Sequence, residues 1–146
     1  MSQLLSDEAE LVEDVMTRNP ITLSESATVQ EAALAMREAD VGDVLVMRRG
    51  AVCGILTDRD IVVRFVADAG DPSSTPVGEI CSADLTEVRP NDPLDYAIEL
   101  MRYRAIRRLP VVRDDKPVGI LSLGDLAFAR SPNSALTDIS AAPANT

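Results

Sequence analysis

The sequence has no histidine and no tryptophan, and aromatic residues make up only 3% of it. Histidine is the commonest metal ligand and the commonest general base in proteins. Its absence argues against a zinc enzyme and against a Ser-His-Asp hydrolase. With so few aromatic rings, the core must be built from Val, Ile, Leu, Ala and Met, a composition that suits mixed α/β packing.

Cysteine is scarce and long apolar runs are missing. Cys53 and Cys81 each lie in an apolar stretch and form no CxxC motif. Such thiols are usually small buried hydrophobes in a reducing compartment, and a disulfide or redox switch is the alternative. No segment reaches the roughly 18 apolar residues that span a bilayer, and the acidic first ten residues do not resemble a signal peptide. We therefore expect a cytoplasmic protein.

Basic residues are outnumbered, with 14 Lys and Arg against 24 Asp and Glu, so the net charge is −10. A field of that sign repels nucleic acid and anionic membranes, and we expect neither as a partner. It leaves room for a local cluster of arginines that binds one anion. A chain of 146 residues, 46% of them hydrophobic, can form one compact domain or two small repeats that share a core.

An internal repeat is present: shifted by 65 residues, the sequence matches itself without a gap. Apolar positions meet apolar positions throughout. Identical pairs include Val12 and Val77, Ala32 and Ala97, Met36 and Met101, Gly54 and Gly119, and Asp60 and Asp125. Duplication of one structural unit is the simplest explanation.

The first copy predicts the elements of that unit. A short strand at residues 21–23 precedes Thr28, which has capping-box spacing to Glu31 and predicts a helix start. The helix has an apolar stripe at Val29, Ala32, Ala33, Met36 and Val41. Residues 44–47 and 51–56 predict a hairpin, and a last helix is expected from about Asp58 to Ala69. The unit therefore reads β-α-β-β-α.

The second copy repeats this order, with Asp92 as the expected N-cap, Pro93 at the first helical position, and a last helix over about 124–130. We predict an N-terminal segment (1–11), a first repeat (12–69), a linker (70–76), a second repeat (77–130) and a disordered tail (131–146). One unit is too small to bury its apolar face alone. The fold class is therefore α/β (α+β), with two repeats packed as a pseudo-twofold pair.

Two stretches carry a family signature, Gly-apolar-apolar-Thr/Ser-x-x-Asp-apolar, at Gly54–Ile61 and Gly119–Leu126. Together with the opening residues 12–17 and the stretch 108–112, they resemble the CBS-domain family. The stand-alone architecture is similar to actinobacterial hypoxic response proteins. The resemblance implies a regulatory pair with no catalytic activity, which commonly forms a homodimer through its helices.

The physics of the motif and the resemblance together suggest two ligand clefts. The motif places a hydroxyl and unpaired N–H groups at a strand-to-helix junction, where they suit a phosphate. The carboxylate that follows one turn later suits a ribose diol. The resemblance implies that one cleft uses Ser122, Asp125 and Arg108 with Ile21, Val41 and Gly42. The other would use Thr57, Asp60 and Arg59 with Thr86 and Ile106. Expected ligands are AMP, ADP, ATP or S-adenosylmethionine, and no cofactor is required.

The two clefts differ in charge. Arg108 suits a phosphate, whereas its repeat partner Asp43 would repel one. We therefore expect the second-repeat cleft to bind a nucleotide better. As alternatives, Asp60 and Asp125 are only helix-capping carboxylates, and the arginines of residues 102–108 form only a solvated helix face.

Two functions follow from these features. In the first, an adenosyl ligand shifts the geometry of the pair or its dimer, and an unknown effector protein reads the change. In the second, the clefts are vestigial and the chain is a ligand-independent dimerisation or interaction module.

Overall fold

The computed structural model describes residues 10–81 and 85–130. The predicted disordered tail and most of the predicted N-terminal segment lie outside these residues. The chain divides into two compact units, and the division does not follow the repeats. Among the described residues, unit 1 contains residues 10–19 and 86–130, whereas unit 2 contains residues 20–81 and Leu85. The opening segment of each repeat thus belongs to the unit formed by the other repeat. The predicted repeat boundaries concern the sequence and stay a prediction.

Unit 1 is a three-stranded sheet with helices. Its elements are α1 (Val12–Val15), β1 (Thr17–Arg18), α4 (Leu94–Arg104), β5 (Arg108–Arg113), β6 (Lys116–Ser122) and α5 (Leu123–Arg130). The strand order is β1-β6-β5, with both pairings antiparallel. A single parallel bridge between Val88 and Val111 represents the first strand of the second repeat.

Unit 2 has the matching set. Its elements are β2 (Thr22–Ser24), α2 (Val29–Ala39), β3 (Asp43–Arg48), β4 (Ala51–Thr57), α3 (Asp58–Asp60), a π-helical stretch (Ile61–Val66) and a 3₁₀ turn (Val77–Glu79). The strand order is β2-β3-β4, with β2 parallel to β3 and β4 antiparallel to it. The predicted mixture of helices and strands, in the order β-α-β-β-α, is confirmed.

Each unit has its own core. In unit 1, Val12 and Met16 pack with side chains of α4, β5 and β6, including Leu94, Leu109 and Leu121. In unit 2, Val77 and Cys81 join the apolar side chains of α2, β3 and β4. Met16, Met36 and Met101 are all buried, and the burial of Met36 agrees with its place in the predicted stripe. Both cysteines are free; Cys81 is buried and Cys53 half-buried, and burial raises the pKa of the Cys81 thiol.

The two first helices begin differently. Thr28 caps α2 as predicted: its Oγ1 accepts from Glu31 N at 3.1 Å, and its own N–H donates to Glu31 Oε1 at 2.8 Å. The prediction of Asp92 as the N-cap of α4 is wrong. Pro93 is the cap and the helix starts at Leu94, because the Asp92 carboxylate accepts the N–H of Arg89 in the preceding turn instead.

Two details of the predicted helices also need correction. Val41 does not continue the stripe of α2, because the helix ends at Ala39 and Asp40 is left-handed. The N–H of Val41 then bonds to Met36 O, which closes a Schellman-type end. Ala33, another stripe residue, is exposed. The last helix of the first repeat ends at Val66, short of Ala69.

That helix also widens into π geometry, since Ala67 N bonds to Val62 O, five residues back. Its β-branched residues crowd an α-helical turn. The widened stretch buries Phe65 and leaves Val62, Val63 and Val66 exposed. Within the described ranges, no helix has the length and apolar character needed to cross a membrane.

Candidate functional site

The junction between β6 and α5 joins Ser122 to Asp125 by two reciprocal hydrogen bonds. Ser122 N donates to Asp125 Oδ2 at 3.0 Å, and Asp125 N donates to Ser122 Oγ at 3.1 Å. The arrangement is a capping box with Asp125 in place of the usual Glu. It fixes the hydroxyl and the carboxylate side by side.

A third side chain, Thr17, completes this group. Its Oγ1 donates to Asp125 Oδ1 at 3.1 Å, across 108 residues of sequence. β1 carries Thr17 to this place by pairing with β6, with Thr17 opposite Ile120 and Arg18 opposite Gly119. A Cβ on Gly119 would lie 2.6 Å from Met16 Sδ and 2.8 Å from Thr17 O. The signature glycine therefore leaves the space in which β1 lies.

Arg108 stands next to this group in the sheet, because it pairs in register with Ser122 across β5 and β6. It is half-buried and makes an interaction of its own in the structure. The N–H of Leu123 donates to Arg107 O at 2.9 Å. The first turn of α5 thus presents one carboxylate, Asp125, beside one half-buried arginine.

Unit 2 has the equivalent group at the end of β4. Thr57 N donates to Asp60 Oδ2 at 3.0 Å, and Asp60 N donates to Thr57 Oγ1 at 3.0 Å. The second oxygen of Asp60 lies 4.0 Å from Arg64 Nη1. The residue opposite Thr57 in the sheet is Asp43, where unit 1 has Arg108.

The expectation of unpaired N–H groups at these junctions is wrong for unit 2. All three N–H groups of its first turn are bonded: Asp58 N to Gly42 O, Arg59 N to Asp58 Oδ1, and Asp60 N to Thr57 Oγ1. In unit 1, those of Leu123 and Asp125 are bonded. Unit 2 therefore combines two first-turn carboxylates with fully used donors, a poor setting for phosphate.

The other predicted residues divide between the units. Ile21 packs against the core of unit 2, and Val41 and Gly42 line a groove of that unit. Ile106 packs against the core of unit 1, and Thr86 is a half-buried residue of the same unit. Arg59 is exposed. The grouping of these residues with the hydroxyls and carboxylates of the other repeat stays a prediction.

The geometry defines what Asp125 can do chemically. A carboxylate has about four lone-pair sites on its two oxygens, and Ser122 N and Thr17 Oγ1 use two of them. The carboxylate can therefore accept two more bonds, as a vicinal diol requires. Ser122 Oγ accepts one bond from Asp125 N and keeps its own proton to donate. Asp60 and Asp125 also cap the helices in which they lie, which is the alternative role considered for them from the sequence.

Sequence reasoning missed Thr17 as a member of this group. The signal was the repeat itself, since Thr17 matches Ser82 and a hydroxyl therefore recurs at that position. Nothing in that match indicates that Thr17 reaches Asp125, which lies in the other repeat.

Comparison with known proteins gives consistent matches. The CBS domain model matches residues 12–67 and 77–131. CBS domain-containing protein YhcV of Bacillus subtilis is 44% identical over 133 residues, which cover 88% of this chain and 94% of that protein. Hypoxic response protein 1 of Mycobacterium tuberculosis is 31% identical over 115 residues, covering 78% of this chain and 80% of that protein.

Solved structures agree with these matches. The crystal structure of Hypoxic Response Protein I has a TM-score of 0.73 at 30% identity and covers 84% of this chain and 98% of that one. The CBS domain pair of MJ0100, solved with 5-methylthioadenosine and S-adenosyl-L-methionine, has a TM-score of 0.76. At 23% identity, with coverage of 86% of this chain and 99% of that one, it supports the fold alone.

Proposed function

Because the chain belongs to the CBS domain family, as a tandem pair, we propose that it is a regulatory sensor of an adenine nucleotide or adenosyl compound. The observation that carries the proposal is the group of Thr17, Ser122 and Asp125, which holds a carboxylate ready to accept a ribose diol. The CBS domain pair of MJ0100, which shares the fold, was solved with two adenosyl compounds, and we propose the same chemical class for this chain.

The site of unit 1 is the stronger of the two for a charged nucleotide. Arg108 is opposite Ser122 in the sheet and can approach a phosphate there. In unit 2 the equivalent position holds Asp43, and Asp58 adds a second carboxylate to the first turn. We therefore assign AMP, ADP or ATP to the site of unit 1. The site of unit 2 suits an uncharged adenosyl group.

A ligand acts here by differential affinity, since it shifts the protein toward the geometry that it binds best. We propose that an effector protein reads this shift. We propose that the protein works as a homodimer in a reducing cytoplasm, in keeping with its two free thiols. Large apolar side chains exposed on its helices support self-association.

Calorimetric titration with AMP, ADP, ATP and S-adenosylmethionine tests the proposal. In Arg108→Ala we expect AMP to bind about 10- to 100-fold more weakly, the loss typical of a charge-assisted hydrogen bond. S-adenosylmethionine should bind as before. Arg89→Ala removes an exposed arginine of the same unit and should leave both affinities unchanged.

Asp125→Asn tests the diol contact, because an amide cannot accept on both of its atoms. We expect all four ligands to lose about tenfold or more in affinity at the site of unit 1, in line with the loss of a bond to a charged group. Asp60→Asn, the same change in the other repeat, should spare that site. No saturable heat from any of the four ligands would refute the sensor and leave a ligand-independent interaction module.

A further inference from the structure

Unit 2 contains both thiols of the chain, and neither belongs to the candidate ligand sites. Cys53 lies on β4 and is half-buried, whereas Cys81 follows the 3₁₀ turn Val77–Glu79 and is buried. Cys81 is part of the apolar core of unit 2, and Cys53 packs against that same core. The fold therefore brings two cysteines that are distant in sequence into one apolar cluster.

Cys53 is the extra residue of a β-bulge on β4. On the two sides of the bulge, Val46 pairs with Gly54 and Met47 pairs with Val52. Cys53 therefore stands between two paired residues of its strand without displacing either of them. A bulge re-aims a side chain, and here Cys53 packs against the same core as Val46.

Unit 1 shows which segment such a bulged residue faces. The bulge recurs on β6, where Val118 is the repeat partner of Cys53. Val118 lines a pocket of about 310 Å³ together with Met16, which is the repeat partner of Cys81. Both residues also pack in the core of unit 1. The repeat thus places the same two positions side by side in each unit, and in unit 2 both positions hold cysteine.

One arginine lies near both thiols. The pKa of Arg48 is raised mainly by its hydrogen bond to Glu25, and further by the charges of the Cys53 and Cys81 thiolates. Its repeat partner, Arg113, lines the pocket of unit 1 just described. A nearby guanidinium stabilises a thiolate, which is the form of cysteine that attacks a disulfide. Cys53, the more exposed thiol, is therefore placed to react first, and the buried Cys81 to react second.

We infer that Cys53 and Cys81 form a reversible disulfide when the chain meets a small-molecule disulfide such as oxidised glutathione. The Cys53 thiolate attacks one sulfur of the oxidant, and a mixed disulfide forms as one glutathione thiolate leaves. The Cys81 thiolate then attacks the Cys53 sulfur and expels the second glutathione thiolate. The two thiol protons of the protein end on these two leaving groups. Disulfides in a reducing compartment are usually transient and redox-sensing, and this one is of that kind.

The disulfide joins the sheet of unit 2 to the segment that leads out of this unit. β4 belongs to that sheet, and Cys81 precedes the point, between Leu85 and Thr86, at which the chain passes to unit 1. Oxidation therefore adds a covalent link close to the connection between the two units. Thiol exchange needs no adenosyl ligand and is independent of the proposed sensor.

Incubation of the folded chain with oxidised glutathione tests the disulfide, with intact-mass spectrometry and peptide mapping as the readouts. The original chain should lose two hydrogen atoms, yield a linked pair of peptides that contain Cys53 and Cys81, and regain its mass with dithiothreitol. In Cys81→Ala, Cys53 should keep one glutathione as a stable mixed disulfide, because the second thiol is gone. In Cys53→Ala, the buried Cys81 should react about tenfold or more slowly than Cys53 does.

Alanine suits both positions because a buried thiol behaves as a small hydrophobe, and circular dichroism checks that the reduced variants are folded. The original chain in concentrated urea is the control for geometry, and there glutathione adducts should replace the internal link. A glutathione adduct on Cys53 of the folded chain that does not give way to the link overturns the inference. So does a disulfide between two copies, or a folded chain that keeps both thiols. The ligand sites are judged separately, by calorimetry on the reduced protein.

Discussion

At the scale of single residues, the ends of α2 and α4 each place a residue with a Cβ in the left-handed region of the backbone. Asp40 and Ala105 both have φ of 56° and follow the last helical residue. Helices commonly end in this left-handed conformation, but with glycine in that position. A residue with a Cβ costs about 1 kcal/mol there.

Ala105→Gly should therefore stabilise the protein, by about 0.5–1 kcal/mol in the free energy of unfolding. The matched control is Ala39→Gly, at an exposed position that is still helical. There the same change should cost about 0.5–1 kcal/mol, because glycine is a poor helix former. Urea denaturation of both variants at one protein concentration measures the change in the free energy of unfolding. If the two changes have the same sign, Ala105 is not strained.

At the scale of elements, the start of α2 depends on the reciprocal bonds of Thr28 and Glu31. Thr28→Ala should lower the free energy of unfolding by about 1 kcal/mol, the usual cost of losing a capping hydroxyl. Gln30→Ala, an exposed change in the same first turn, should have little effect. Thermal unfolding monitored by circular dichroism compares the two, and equal melting temperatures would show that the cap contributes nothing.

The elements themselves could be predicted from the sequence, because the repeat confirms each pattern twice. Apolar periodicity predicted both first helices and both hairpins, and the signature predicted that Ser122 and Asp125 lie at one strand-to-helix junction. The π-helical stretch could not be predicted, since apolar periodicity over so short a segment does not distinguish four-residue from five-residue hydrogen-bond spacing. Nor could the bond from Thr17 to Asp125, because it depends on which unit receives the first segment of the chain.

At the scale of the whole molecule, the units exchange the first segments of the repeats. Val12 is fully buried in unit 1, whereas its repeat partner Val77 is fully buried in unit 2. The stability of α1 should therefore follow β5 and β6, which are distant in sequence, rather than α2, which is near.

Hydrogen exchange can measure this dependence. Leu109→Ala removes a fully buried side chain of unit 1, at a cost of about 2–5 kcal/mol. We expect the amides of Asp14 and Met16 to lose protection together with those of β5 and β6, while α2 keeps more of its own. Leu56→Ala removes a fully buried leucine from the core of unit 2 and should reverse the pattern. If α1 follows α2 in both variants, the assignment of the first segment is wrong.

The exchange of segments also sets an order of events during synthesis on the ribosome. Unit 2 draws its described residues from one continuous stretch, so it can close while the second repeat is still being translated. Residues 10–19 emerge first, yet their partners in α4, β5, β6 and α5 emerge last. At cellular translation rates the delay is roughly 5 to 20 s. During that interval Val12 and Met16 have no core to enter, and a chain broken off in the second repeat would leave them permanently open to chaperones and proteases.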